Sequence, residues 1–200
     1  MSSPSTTIEP RLAASTQDAA KRLPNCVLAM IIFIAAEIMF FAALMSAHTI
    51  ARATAMGGVW PPAGQPRLPV EHTAINTAIL LLSGALLFAS NRRARDSYEK
   101  AHAYLAGAIL AGVAFVMLQG VEWVALLREG LTMTSGAHGA FFYLIVGAHA
   151  LHAVVAIAVL SAIYFPMRRG SLAPSTFAAA QIFWYFVVLL WPVIYLRVYL

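Results

Sequence analysis

The chain has 200 residues, of which 61% are hydrophobic and only 10% charged, whereas soluble domains run near about 45–50% apolar and about 25% charged. Its mean hydropathy of +0.78 describes more apolar surface than a domain of this size can hide, which excludes a water-soluble globule and a disordered protein. The net charge of +5 comes from 13 scattered Lys and Arg, so no nucleic-acid partner is expected, and the single cysteine, Cys26, excludes an internal disulfide or a cysteine-held metal cluster.

Residues 1–24 are polar, rich in Ser, Thr and Ala, and read as an N-terminal tail. Residues 25–200 hold five apolar runs, each long enough for a spanning helix of about 20 residues. They are Val27–Ile50, His72–Ser90, Tyr104–Leu127, Gly139–Phe165 and Phe177–Leu200. Their length suits helices, because barrel strands would be about 9–11 residues of alternating polarity. Ala53-Thr54-Ala55 has the form of a leader cleavage site. The run before it is longer than a leader core of about 7–15 residues and contains Glu37, so it reads as a permanent helix. The predicted fold class is therefore all-α, a polytopic membrane protein of five transmembrane helices.

Breakers and charges fall between the runs: Gly57-Gly58-Val59-Trp60-Pro61-Pro62, Asn91 through Asp96, and Arg168-Arg169-Gly170. Lys and Arg gather on cytoplasmic segments. With the N-terminus inside, nine lie on inner segments and four (Arg52, Arg67, Arg128, Arg197) on outer ones. The expected topology is thus N-terminus inside and C-terminus outside. No internal repeat is visible, which weakens an inverted-repeat transporter.

Polar groups inside spans carry the functional signal, because they are costly there and turn toward protein or water. They are Glu37, Glu122, His149 and His152, with Asn76 and Gln119. A rise of about 1.5 Å per residue puts Glu37, His149 and His152 at similar mid-membrane depth and Glu122 near the outer end of its helix. His149 and His152 are three residues apart and share a helical face. With Glu37 they read either as a histidine–carboxylate ligand set or as a buried hydrogen-bonded group that fixes packing. No second carboxylate and no second-helix histidine lies at that depth, so no metal is assigned to this chain. His48, His72 and His138 fall near outer helix ends and read as interfacial groups. Trp60, Trp123 and Tyr195 near the same boundary read as belt anchors. Gly107, Ala111 and Gly112 give small-residue spacing for close helix contact.

These residues, with their neighbours, resemble the subunit III family of the haem–copper oxidases in its short bacterial five-helix form. Five segments carry the resemblance: Glu37 through Leu44; Gly58-Val59-Trp60-Pro61-Pro62; Asn76 through Ser83; Gln119-Gly120-Val121-Glu122-Trp123; and Gly147-Ala148-His149-Ala150-Leu151-His152. In the last run, Trp184 through Trp191, Tyr185 and Val188 stand where the family usually has His and Asp, and Ala36 precedes Glu37 where Ser is common. Those departures leave two neighbouring readings open, the accessory subunit of a nitric oxide reductase or of a quinol oxidase. An independent membrane haem protein or transporter is a further reading.

The resemblance implies a non-catalytic subunit of a proton-translocating terminal oxidase that reduces oxygen to water. Haem and copper would reside in partner subunits I and II. This chain would flank subunit I, hold phospholipid and support proton uptake, in the bacterial plasma membrane. Glu37, His149 and His152 would be its proton-linked or structural intramembrane residues. Asn76, Gln119, Glu122, Trp123, Trp184 and Trp191 would serve packing or a lipid cleft.

Overall fold

The computed structural model describes residues 23–55, 60–62, 64–94 and 98–200. Most of the N-terminal tail, Gly57-Gly58-Val59, Arg95 and Asp96 lie outside the described residues. Five helices form: α1 Asn25–Ala53, α2 Val70–Arg93, α3 Tyr98–Arg128, α4 Ala137–Arg168 and α5 Pro174–Ile194. A π-helical turn, Tyr195–Tyr199, continues α5. All five are long and apolar enough to cross a membrane. Helices α2, α3 and α4 extend past the apolar runs that predicted them, because Arg93, Arg128 and Arg168 end them with the charge in the last turn, where the helix dipole favours it, whereas α5 begins earlier than its run and ends as an α-helix at Ile194.

The boundaries follow local chemistry. Pro24 and Pro69 precede α1 and α2, and Pro174 opens α5, at positions where a missing N–H costs nothing. Gly130 and Gly170 close α3 and α4 with φ of 90° and 65°. Around Gly130, Leu131 donates to Leu126 and Gly130 to Leu127; around Gly170, Ser171 donates to Pro166 and Gly170 to Met167. Both are Schellman closures, which need a left-handed residue that glycine supplies without strain.

The helices α2 and α3 pair as an antiparallel hairpin held by a ladder of hydrogen bonds. Ser90 donates to the Ala101 carbonyl at 2.8 Å, Ser83 to Ala108 at 2.6 Å, and Asn76 to Phe115 at 3.2 Å. Donors and acceptors both recur every seven residues, the repeat at which two left-handed wrapped helices keep meeting. Each helix carbonyl has a second lone pair free for this.

Helix α3 also packs on α4, and α5 packs on α1, α2 and α4. Its entry depends on two glycines. A Cβ on Gly112 of α3 would lie 2.7 Å from Trp184 Cη2, and one on Gly84 of α2 would lie 3.0 Å from Val188 Cγ1. Gly112 thus admits α5, whereas a Cβ on Gly107 would lie 3.4 Å from Leu86 Cδ1, an ordinary contact. Trp191 Nε1 donates to Thr77 at 2.9 Å and pins α5 to α2. Helix α5 is the most enclosed, with 56% of its apolar window buried, and α1 the least, with 11%.

Two outcomes follow. Gly112→Ala should destabilise the subunit by about 1–3 kcal/mol, the usual cost of overpacking. Gly120→Ala, where a Cβ meets nothing within 4 Å, should stay within about 0.5 kcal/mol of the parent. Ser83→Ala should cost about 0.6 kcal/mol, the average for an interhelical hydrogen bond in a membrane, and should add to the cost of Ser90→Ala. Thermal denaturation of the assembled complex in one detergent measures all four variants.

Candidate functional site

Glu37 finds one ion-pair partner among the described residues. Glu37 Oε2 on α1 lies 3.0 Å from His152 Nε2 on α4, with side-chain exposures of 18% for Glu37 and 15% for His152. The other ring nitrogen, Nδ1, lies 2.7 Å from the Ala148 carbonyl one turn earlier. Four phenyl rings enclose the imidazole: Phe33 at 6.5 Å and Phe41 at 5.5 Å from α1, Phe183 and Phe186 at 6.4 Å from α5. The pair therefore sits where α1, α4 and α5 converge, screened by apolar rings.

His149 goes elsewhere. It is buried against Trp191, ring centroids 4.9 Å apart, and against Phe115 at 6.3 Å. Neither ring nitrogen has a hydrogen-bond partner among the described residues. A three-residue step turns about 300° around a helix, enough to aim His152 at α1 and His149 at α3 and α5. The structure thus joins Glu37 to one histidine of the expected trio. Among the described residues no group of three His, Cys, Asp or Glu is placed to hold a metal.

A second polar cluster lies at the other end of α3. Glu122 Oε2 accepts from Thr73 at 3.0 Å and from Gln119 Nε2 at 2.9 Å. Gln119 also reaches the Tyr199 hydroxyl at 3.1 Å, and Asn76 Nδ2 donates to Gln119 Oε1 at 3.3 Å. This network joins α2, α3 and the π turn. Beside it opens a cleft of about 440 Å³ whose walls include Ile75, Leu118 and Val121, with Arg67, His72 and Glu129 also around it. Thr73 and Tyr199 were not singled out from the sequence. The polar stripe Thr73, Asn76, Ser83 and Ser90 on one face of α2 was the available signal.

The outer histidines correct an expectation. His72 is exposed, as an interfacial residue should be, but His48 and His138 are buried. They flank Trp60, with ring centroids 5.6 and 5.3 Å away. The expected belt residues are half-buried and each also makes a contact within the fold. Trp60 is wedged between those histidines, Trp123 packs edge-on against Tyr143 at 5.7 Å, and the Tyr195 hydroxyl donates to the Val70 carbonyl at 3.1 Å. Packing of Trp60 between the His48 and His138 rings accounts for the burial of both histidines. Trp184 and Trp191 are fully buried in the core. At the two altered positions of α5, Val188 fills the space against Gly84, and the Tyr185 hydroxyl has no partner among the described residues.

Comparison with known proteins agrees with this architecture. The family model described as cytochrome c oxidase subunit III matches residues 16–200. Cytochrome c oxidase subunit 3 of Oryctolagus cuniculus is 31% identical over 178 residues, 85% of this chain and 67% of the relative. That of Lemur catta is 30% identical over 178 residues, covering 85% and 64%, and that of Dasypus novemcinctus 30% over 179 residues, covering 85% and 67%. With five apolar helices in place and this match running through all of them, the chain belongs to the cytochrome c oxidase subunit III family.

Proposed function

We propose that this non-catalytic subunit acts as the membrane flank of its oxidase. It packs on subunit I, neighbours subunit II, holds phospholipid and supports proton uptake by the catalytic subunit. Haem and copper belong to those partners, because the family carries none of its own. The observation that carries the reading is the asymmetry of burial. Helix α1 leaves Ile32, Ile38, Met39 and Phe40 uncovered while α5 is enclosed, so α1 offers an apolar wall to a membrane partner. Phospholipid chains suit the cleft beside Glu122 and a groove of about 310 Å³ between α3 and α4, lined by Ala106, Ile109, Leu110, Ser161, Tyr164 and Phe165. The N-terminus lies inside and the C-terminus outside, on the strength of the Lys and Arg distribution. The resemblance to the short five-helix form favours the bacterial plasma membrane.

Within this flank, Glu37 and His152 tie α1 to α4, and His149 packs beside Trp191. A charged group at mid-membrane costs about 2.5–3.5 kcal/mol on insertion scales, so a carboxylate held there needs its partner. Asn76, Gln119 and Glu122 bind α2 to α3, and Asn76 and Glu122 line the lipid cleft. Trp123 packs against Tyr143 of α4, and Trp184 and Trp191 key α5 into the bundle.

Topology is tested in a Cys26→Ser background with Ala94→Cys. The thiol should react only from the cytoplasmic side; labelling from the outer face alone would reverse the orientation. The tie is tested by turnover of the assembled oxidase carrying Glu37→Gln. Turnover should match the parent at low and high pH, since Gln keeps the shape of the side chain and its polar contact with His152. A fall confined to high pH would instead give Glu37 a direct share in proton uptake.

A further inference from the structure

We propose that the groove beside His149, between α3 and α4, is a water-binding site within the membrane span, held by the His149 ring and the Trp123 indole N–H. The groove measures about 120 Å³, with Phe115, Val116 and Val146 among its apolar walls and Trp191 of α5 beside it. Small residues leave the space open. Ala150 lines it from α4, and Gly120 lines it from α3, where an added Cβ would meet nothing within 4 Å. A water takes about 30 Å³ in the liquid, so the groove has room for more than one.

His149 and Trp123 also line this groove. His149 is only 1% exposed, and neither of its ring nitrogens has a hydrogen-bond partner among the described residues; nor does Trp123 Nε1. Trp191 lies against the imidazole at 4.9 Å and 33° between planes, a contact that covers a face of the ring and not its nitrogens. Gln119, the other polar residue of the lining, is already engaged by Asn76, Glu122 and Tyr199. Three buried polar atoms on one groove are therefore left for a ligand, and a buried polar atom without a partner is costly.

The chemistry of those atoms selects the ligand. An acyl chain from the surrounding lipid would suit the apolar walls but leave all three unpaired. An indole N–H can only donate, and an imidazole donates, accepts or does both. Water accepts from the indole and takes either role toward the imidazole, so it serves whichever form the ring adopts. It is also small enough to enter, and two to four polar partners are what an internal water needs. Bound there, water joins Trp123 of α3 to His149 of α4, two residues that have no direct hydrogen bond to each other.

The test is a cryo-electron microscopy map of the assembled oxidase in lipid nanodiscs, at a resolution that shows ordered water. Isolated oxygen peaks should stand within about 3.2 Å of a His149 ring nitrogen and of Trp123 Nε1. A groove without density, or one filled by a continuous acyl or detergent chain, would overturn the proposal. Ultraviolet resonance Raman spectroscopy provides a readout that needs no map. The difference spectrum between the parent complex and Trp123→Phe isolates this indole, and its N–H marker band should lie at the hydrogen-bonded position. A band at the free N–H position would also overturn the site.

Discussion

A helix in lipid gains nothing by burying apolar side chains against another helix, since acyl chains are equally apolar. What remains is close packing and hydrogen bonding, and the ladder between α2 and α3 supplies both. Three side chains donate to three carbonyls at seven-residue spacing, opposite Ala101 and Ala108, whose small side chains let the backbones approach. That hairpin is the frame on which the other helices depend. Its glycines, Gly84 and Gly112, form the surface that receives α5, and the end away from its loop carries the Asn76–Gln119–Glu122 network that receives the π turn.

Once α5 is seated, Phe183 and Phe186 meet the phenyl rings of α1 around His152, and Trp191 covers His149. His149 and His152 thereby acquire different surroundings from one short motif. One meets a carboxylate across a helix boundary, and the other is enclosed by aromatic rings. Helix α1 is bound through Phe33, Glu37 and Phe41, and further along through His48 against Phe141 and Arg52, which donates to the Leu200 carbonyl. Only 11% of its apolar window is buried, which agrees with a helix whose outer wall belongs to a larger assembly.

Much of this was legible in the sequence, because the strongest signals are physical. Five apolar runs had to be five spans, and the depth of Glu37 matched that of His152. The pairing of small residues with large ones was harder to read. Nothing in Gly112 alone points to Trp184, some seventy positions later, and nothing in Ser83 or Ser90 distinguishes a ladder from ordinary helix hydroxyls that bond their own backbone. The outer histidines were misjudged because position in a helix gives depth but not direction. His48 and His138 turn inward only because Trp60 is brought between them by the intervening loop, a tertiary fact. His149 and His152 share a face by spacing, yet sixty degrees of helix rotation sends them to different neighbours.

The claim on which the account most depends is that Glu37 and His152 hold α1 to α4 through each other. A double-mutant cycle with Glu37→Ala, His152→Ala and the double variant, read as retention of the subunit in the purified oxidase, measures that coupling directly. The account predicts strong non-additivity, with the second substitution costing little once the first is made, and a coupling of about 0.6–1.7 kcal/mol, the range for polar contacts between membrane helices. Costs that simply add would contradict it, because two independent residues cannot be one tie.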